Sequence, residues 1–274
     1  MKRLGFAGAG RMGLPMVRRL VTSGHKVCAV GRTPQRRRLL EAVGSVAVER
    51  VEDTAEAADA VVVCVFNDQQ VREVCLDSGL LDTLPDGAAL VVHTTSHPRT
   101  LQEIADRAAP RGISVLDAPV SGGPHDIAAG RLTVFAGGDE ATVERLRPML
   151  AAYADPVLPV GPVGAGQSVK LVNNALFTAQ IGLVAEAARL GRELGVDEAA
   201  LLTALGHASS ASKAQAGAAS RGSADRFISD VREFLDKDME VVRQVADGLG
   251  ARLGALEPAL AALERAGRGT GARA

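Results

Sequence analysis

Four clusters of residues in this chain could do chemistry. Gly8-Ala9-Gly10-Arg11-Met12-Gly13 has G-x-G-x-x-G spacing. In such a turn Gly8 permits the tight bend, Gly10 lets backbone approach a diphosphate, and Gly13 packs helix on strand. Downstream, Gly31-Arg32-Thr33 and Arg36 stand where a second strand should end. An acid there would bind a ribose 2′-hydroxyl, whereas Arg32 can pair with a 2′-phosphate and Thr33 can donate a hydroxyl hydrogen bond to it. In Asp117-Ala118-Pro119-Val120-Ser121-Gly122-Gly123 a hydroxyl is followed by two glycines whose N–H groups could cradle a carboxylate. Lys170 and Asn174 are spaced i,i+4, on one helix face. Apolar neighbours flank Lys170, and a desolvated lysine can exchange a proton near neutral pH.

Elements must hold these groups in place. Short apolar runs alternate with helical patterns up to about residue 160. Strands are expected over 3–7, 27–30, 59–66, 88–93, 113–117 and 131–136, with helices over 12–23 and 35–43. The run Ala60-Val61-Val62-Val63-Cys64-Val65-Phe66 is continuous enough for a strand covered on both faces. This alternation predicts βαβ units and a parallel sheet, an α/β fold of doubly wound Rossmann type. Beyond residue 163 the texture becomes helical. Residues 168–194 predict one helix of roughly 40 Å, with further helices over 197–205, 226–249 and 257–265 and a small, polar loop over 209–223. The expected organisation is a Rossmann domain over 1–162 and an all-α domain over 163–274, entered through that long helix, with the site at their junction. The broad apolar face of the long helix predicts a homodimer or homotetramer.

Composition excludes other classes. A hydrophobic share of 47% over 274 residues can fill a real core. A net charge of −1 and 3% aromatics argue against nucleic acid as partner. No run is long enough to span a membrane. Cys28, Cys64 and Cys75 lack metal or CxxC spacing, so no metal is expected, and buried thiols fit a reducing, cytoplasmic setting. Only Lys2, Lys26, Lys170, Lys213 and Lys237 are lysines among 31 basic residues. Lys237-Asp238 sits inside an apolar helix, where an ordinary surface pair is the simplest reading.

The motifs GAGRMGLPM, DAPVSGG, GAGQSVKLVNN and FLDKDM occur in the order found in the β-hydroxyacid dehydrogenase family, and the chain resembles that family over nearly its whole length. The resemblance implies hydride transfer between NADP(H) and a small β-hydroxyacid or semialdehyde. It makes Lys170 the catalytic lysine and Asn174 the orienting amide. Ser121, Gly122 and Gly123 become the carboxylate site, and Lys237 a lysine near nicotinamide and substrate. Val65, Phe66, Asn67, Asp68 and Thr95 match cofactor-contacting loops, beside Gly8, Gly10, Arg11, Met12 and Gly13. Arg32, Thr33 and Arg36 resemble the pattern of members that prefer NADPH to NADH. An imine reductase of the same fold, or a non-catalytic NADP-binding relative, is the alternative. Three features depart from the pattern: His125-Asp126 after the glycines, where they alter selectivity or cap the next helix; His93, where relatives often carry an acid; and Gly267 to Ala274, where relatives continue into an Asp/Ser-containing tail.

Overall fold

A computed structural model describes residues 2–266; the tail from 267 onward lies outside the described residues. The chain divides into two compact units, Met1–Lys170 and Leu171–Ala274.

The first unit contains strands β1 (Arg3–Ala7), β2 (Lys26–Val30), β3 (Val46–Val48), β4 (Ala60–Val63), β5 (Ala89–Val92), β6 (Ser114–Asp117), β7 (Val120–Ser121), β8 (Leu132–Gly137) and β9 (Ala154–Gly161). Its helices are α1 (Gly13–Thr22), α2 (Pro34–Ala42), α3 (Asp68–Arg72), α4 (Leu80–Thr83), α5 (Pro98–Ala108), α6 (Pro124–Ala128) and α7 (Glu140–Leu150). The sheet order is β3-β2-β1-β4-β5-β6-β8-β7, with β9 paired to β8. The strands from β3 through β6 are mutually parallel, and β8 runs antiparallel to β6. The order 3-2-1-4-5-6 is that of a dinucleotide-binding sheet.

Both faces of this sheet are apolar, which explains the continuous hydrophobic runs. Leu4, Phe6, Val62 and Val91 point into one core, with Met16 and Leu20 of α1. Ala7, Val61, Val63, Leu90 and Val92 point into the other, with Leu101 and Ile104 of α5. Period-2 alternation thus divides hydrophobic residues between two cores.

Several elements differ from the sequence expectation: β3, β7, β9 and helices α3 to α7 are additional, the strand expected over 59–66 ends at Val63, and a loop expected over 209–223 is partly helical. β9 (Ala154–Gly161) carries Pro156 and Pro159 and lies beyond the last expected strand, 131–136. Among the described residues it pairs only with β8, and prolines are tolerated where one side of a strand needs no donors. Residues 209–223 contain a helix, α10 (Lys213–Ala219), rather than a loop throughout. Ser212 accepts from the Gln215 N–H at 3.1 Å as N-cap, and Ala214 and Ala218 are buried. The side-chain cap and the alanines outweigh the polar appearance of the segment.

α8 (Ala165–Glu193) begins in the first unit and continues into the second, which adds α9 (Glu198–Leu205), α11 (Ala224–Leu249) and α12 (Leu256–Ala266) around α10. Within that unit Ile181 and Ala188 of α8 pack with Leu202, Phe227 and Leu235. Among the described residues no helix is long and apolar enough to cross a membrane.

Candidate active site

The carboxyl ends of β1, β4, β5 and β6 lie side by side in the sheet, and the sequence-predicted residues of the first unit leave from them. After β1, Gly8 has φ +98°, and a Cβ there would stand 2.2 Å from the Cys64 carbonyl oxygen. The Gly10 N–H donates to the Gly8 carbonyl at 2.8 Å. A Cβ on Gly10 would meet no atom within 4 Å, and one on Gly13 would collide with the Gly8 carbonyl at 2.2 Å. The open space is therefore at Gly10, in front of α1, whose first turn has no side-chain cap. A diphosphate fits such a place, with helix N–H groups aimed at it.

At the end of β2, Arg32 is exposed. Thr33 caps α2, its Oγ1 accepting from the Arg36 N–H at 3.2 Å, so its hydroxyl proton remains to donate. Arg37, which belongs to none of the motifs, holds the turn: Nη1 donates to the Gly31 carbonyl at 3.0 Å and Nη2 pairs with Glu49 at 2.9 Å.

The loops after β4 and β5 hold each other. The Val65 N–H donates to Thr94 Oγ1 at 2.9 Å, and Thr94 Oγ1 donates to the Val65 carbonyl at 3.1 Å. Asn67 caps α3 through the Gln70 N–H. Both Asp68 oxygens are engaged, one by the His97 N–H at 2.9 Å and one by Thr100 Oγ1 at 3.1 Å. Asp68 is thus committed to the start of α5. Phe66 is exposed and Thr95 is buried.

After β6, Ser121 is half-buried in β7 and Gly122 has φ +125°, a conformation suited to glycine. The expectation of open N–H groups on both glycines needs correction. The Gly123 N–H donates to Asp126 Oδ2 at 2.8 Å, closing a capping box at the start of α6. Asp126 is therefore a helix cap, with His125 Nε2 3.2 Å from Oδ2. The cradle reading rests on Ser121 and Gly122.

Sequence reasoning missed the group that ties this loop to Lys170. Asp117 is fully buried, with Oδ1 accepting from the Gly164 N–H at 2.7 Å and Oδ2 from the Gln167 N–H at 2.8 Å. Burial pushes its carboxyl up to about 6, against the pull of those backbone hydrogen bonds. The Gln167 side chain donates to the Thr94 carbonyl and accepts from the Ser96 N–H, each at 2.9 Å. The first turn of α8 is thereby fixed to the ends of β5 and β6, and Lys170, half-buried, follows three residues later. The signal was an acid at the end of an apolar strand, which must find donors when buried.

In the second unit, Asn174 and Lys237 converge on Asp238. Asn174 Nδ2 donates to Asp238 Oδ2 at 2.5 Å, and Lys237 Nζ donates to Oδ1 at 2.5 Å. Asn173 Nδ2 donates to Asn174 Oδ1 at 3.0 Å, which fixes both ends of the Asn174 amide. The side chains of Lys237 and Asp238 are only 18% and 13% exposed, so this is not an ordinary surface pair.

Residues 3–161 match the family model described as the NAD binding domain of 6-phosphogluconate dehydrogenase, and residues 164–274 match that described as NAD-binding of NADP-dependent 3-hydroxyisobutyrate dehydrogenase. The chain belongs to the β-hydroxyacid dehydrogenase family. As a member it is an oxidoreductase with a domain for a nicotinamide cofactor. It is 35% identical to an NAD-dependent L-serine dehydrogenase of Pseudomonas aeruginosa over 72% of this chain and 66% of that protein. It is 37% identical to an uncharacterized oxidoreductase of Shewanella frigidimarina over 72% and 68%. Among solved structures, Mycobacterium tuberculosis 3-hydroxyisobutyrate dehydrogenase with L-serine superposes with a TM-score of 0.86 at 26% identity, covering 97% of this chain and 93% of that one. An imine reductase from a Pseudomonas species shares the fold, with a TM-score of 0.63 at 18% identity over 98% and 94%.

Proposed function

We propose that this family member transfers hydride between NADP(H) and a small β-hydroxyacid or its semialdehyde. The observation that carries the reading is the Asp117 clamp. It holds the start of α8, and hence Lys170, to the end of the strand that runs on into Ser121 and Gly122. An acid–base group and a carboxylate cradle thus share one rigid support. The Pseudomonas serine dehydrogenase and the structure with L-serine support a carboxylate-bearing substrate of this size.

The nicotinamide, when bound, takes or supplies the hydride. Ser121 Oγ and the Gly122 backbone receive the substrate carboxylate. In oxidation Lys170, neutral, accepts the hydroxyl proton as the hydride leaves the neighbouring carbon. In reduction its ammonium donates a hydrogen bond, then the proton, to the carbonyl oxygen. Asn174, held by Asp238 and Asn173, is the orienting amide of the same helix, and Lys237 contributes positive charge for substrate and cofactor. Gly8, Gly10, Arg11, Met12 and Gly13 hold the diphosphate, while Val65, Phe66, Asn67, Asp68 and Thr95 line the cofactor. Arg32, Thr33 and Arg36 favour the 2′-phosphate of NADP over NAD. Residues 1–162 are assigned to the cofactor, and 163–274 to substrate and self-association.

The lysine distinguishes this reading from imine reduction, whose substrates lack the hydroxyl that Lys170 would deprotonate. The deciding experiment is NADPH consumption with glyoxylate, succinic semialdehyde, tartronate semialdehyde and methylmalonate semialdehyde beside a cyclic imine. Turnover confined to the imine would replace the proposal.

A further inference from the structure

His93 and Tyr153 form a buried polar pair that the reaction does not use directly. Neither side chain reaches solvent to any useful extent, at 3% and 0% exposure. His93 Nδ1 lies 2.6 Å from the Ala118 carbonyl oxygen, and Nε2 lies 2.8 Å from Tyr153 Oη. The two rings meet edge to face, with centroids 5.6 Å apart and planes at 84°. A carbonyl can only accept, so Nδ1 carries the hydrogen and Nε2 is bare. Tyr153 is then the donor to Nε2. Both ring nitrogens are satisfied in one tautomer only.

The place of this pair gives it a role. His93 directly precedes the segment Thr94-Thr95-Ser96, in which the Thr94 carbonyl and the Ser96 N–H hold the Gln167 side chain. Ala118 directly follows Asp117, whose carboxylate holds the Gly164 and Gln167 N–H groups. The Ala118 N–H is already bound to the Val92 carbonyl at 2.8 Å. The His93 ring takes the remaining backbone group of residue 118. A closed circuit results: His93 to Ala118, Asp117 to the first turn of α8, Gln167 back to Thr94 and Ser96. The ring adds a side-chain tie, beside the β5–β6 backbone ladder, between the two segments that clamp the start of α8.

We infer that His93, braced by Tyr153, is a positioning residue. It fixes the Ala118 end of the Ser121 loop against the loop after β5, and so places Lys170 and Ser121 for one substrate. The inference rests on the reading of Ser121 and Gly122 as the carboxylate cradle.

Tyr153→Phe removes one hydroxyl without changing ring volume and leaves a bare Nε2 buried without a donor. Because small displacements in a reacting geometry are costly, kcat/KM for the hydroxyacid should fall about 10- to 100-fold. The Kd for NADPH, set at the Gly8–Gly13 turn, should stay within about twofold of wild type on the same geometric ground. His93→Asn keeps an N–H donor toward the Ala118 carbonyl and should recover most of the kcat/KM lost in His93→Leu. Nitrogen-15 NMR of the wild-type protein should show His93 protonated on Nδ1. An Nε2-protonated ring, or equal kcat/KM in His93→Asn and His93→Leu, overturns the assignment. Ser121→Ala is assayed alongside. An unchanged KM there overturns the cradle reading and this inference with it. A raised KM there beside an unaltered Tyr153→Phe overturns the positioning role alone.

Discussion

Asp238 holds Asn174 with one carboxylate oxygen, at 2.5 Å, and gives the other to Lys237. An acceptor-only group must face Nδ2 of the amide, so Asn174 Oδ1 is turned the opposite way, with one lone pair left after Asn173. Replacing Asp238 by Asn puts an amide donor against one of two existing donors. A charge-assisted hydrogen bond of about 1.5–3 kcal/mol is lost. Asp238→Asn should therefore lower kcat/KM by about 10- to 100-fold, at about 1.4 kcal/mol per decade. Steady-state kinetics showing wild-type values would remove Asp238 from the site.

Lys170→Ala should reduce kcat by about 10²- to 10⁴-fold, the ordinary worth of a positioned acid–base group. NADPH binding, followed by fluorescence titration, should be retained, because the Gly8–Gly13 turn is untouched. Lys170→Arg should fail nearly as completely, since a guanidinium does not release its proton.

The proposed cofactor choice can be tested at Arg32. With NADPH preferred in the wild type, Arg32→Ala should raise the KM for NADPH by about 10-fold or more, the value of a charge-assisted contact to phosphate. The KM for NADH should hardly move. A wild-type enzyme that favours NADH would defeat the assignment of Arg32 and Thr33 outright.

Two buried groups give opposite acid responses. Burial lowers His93 to about 4 from an ordinary 6.5, so its contribution to stability is present above 6.5 and lost as pH falls to about 4. Burial raises Asp117 to about 6 from 3.8, so its contribution is present below 3.8 and lost as pH rises through about 6. A folded-to-unfolded pKa difference of this size is worth about 3 kcal/mol for each group, and between pH 4 and 6 the two oppose one another. Urea midpoints between pH 6.5 and 4 should fall more steeply with acid in Asp117→Asn than in wild type, and less steeply in His93→Asn. Parallel curves for all three proteins would contradict both assignments.

Val172, Leu176, Leu183 and Leu190 stand 68, 48, 58 and 51% exposed along α8. Their spacing leaves an apolar stripe, which marks an association surface more often than it stays in water. We expect a dimer or tetramer by sedimentation at micromolar concentration, and Leu183→Glu with Leu190→Glu should shift it toward monomer. A wild-type monomer at that concentration would refute the expectation.

The fold was largely legible because its signals are periodic. The apolar runs 59–66 and 88–93 read as strands because each face has its own core, although β4 stops at Val63, and the helix expected over 168–194 is α8, Ala165–Glu193. The motif residues were legible as types, but their engagements were not. Capping of the next helix is one of two readings of His125-Asp126, but the sequence does not choose between them, because the choice depends on where α6 starts. Nor does Phe234-Leu235-Asp236-Lys237-Asp238 say which acid turns toward Asn174. Asp117 and Gln167 were visible inside their motifs, yet their pairing joins residues 50 positions apart, which no local pattern reports.

That pairing also limits how the protein can be taken apart. A chain ended after residue 162, where the composition changes, would keep Asp117 in the sheet but discard Gly164 and Gln167. A buried carboxylate would then lose the donors that lie on the other side of the cut. Ended after Lys170, the same piece would keep them. The useful seam for fragment exchange between relatives, or for a natural recombination event, therefore lies one helical turn or more inside α8. In that sense Lys170, the proposed acid–base group, is inherited with the sheet of the first unit rather than with the helices that follow it.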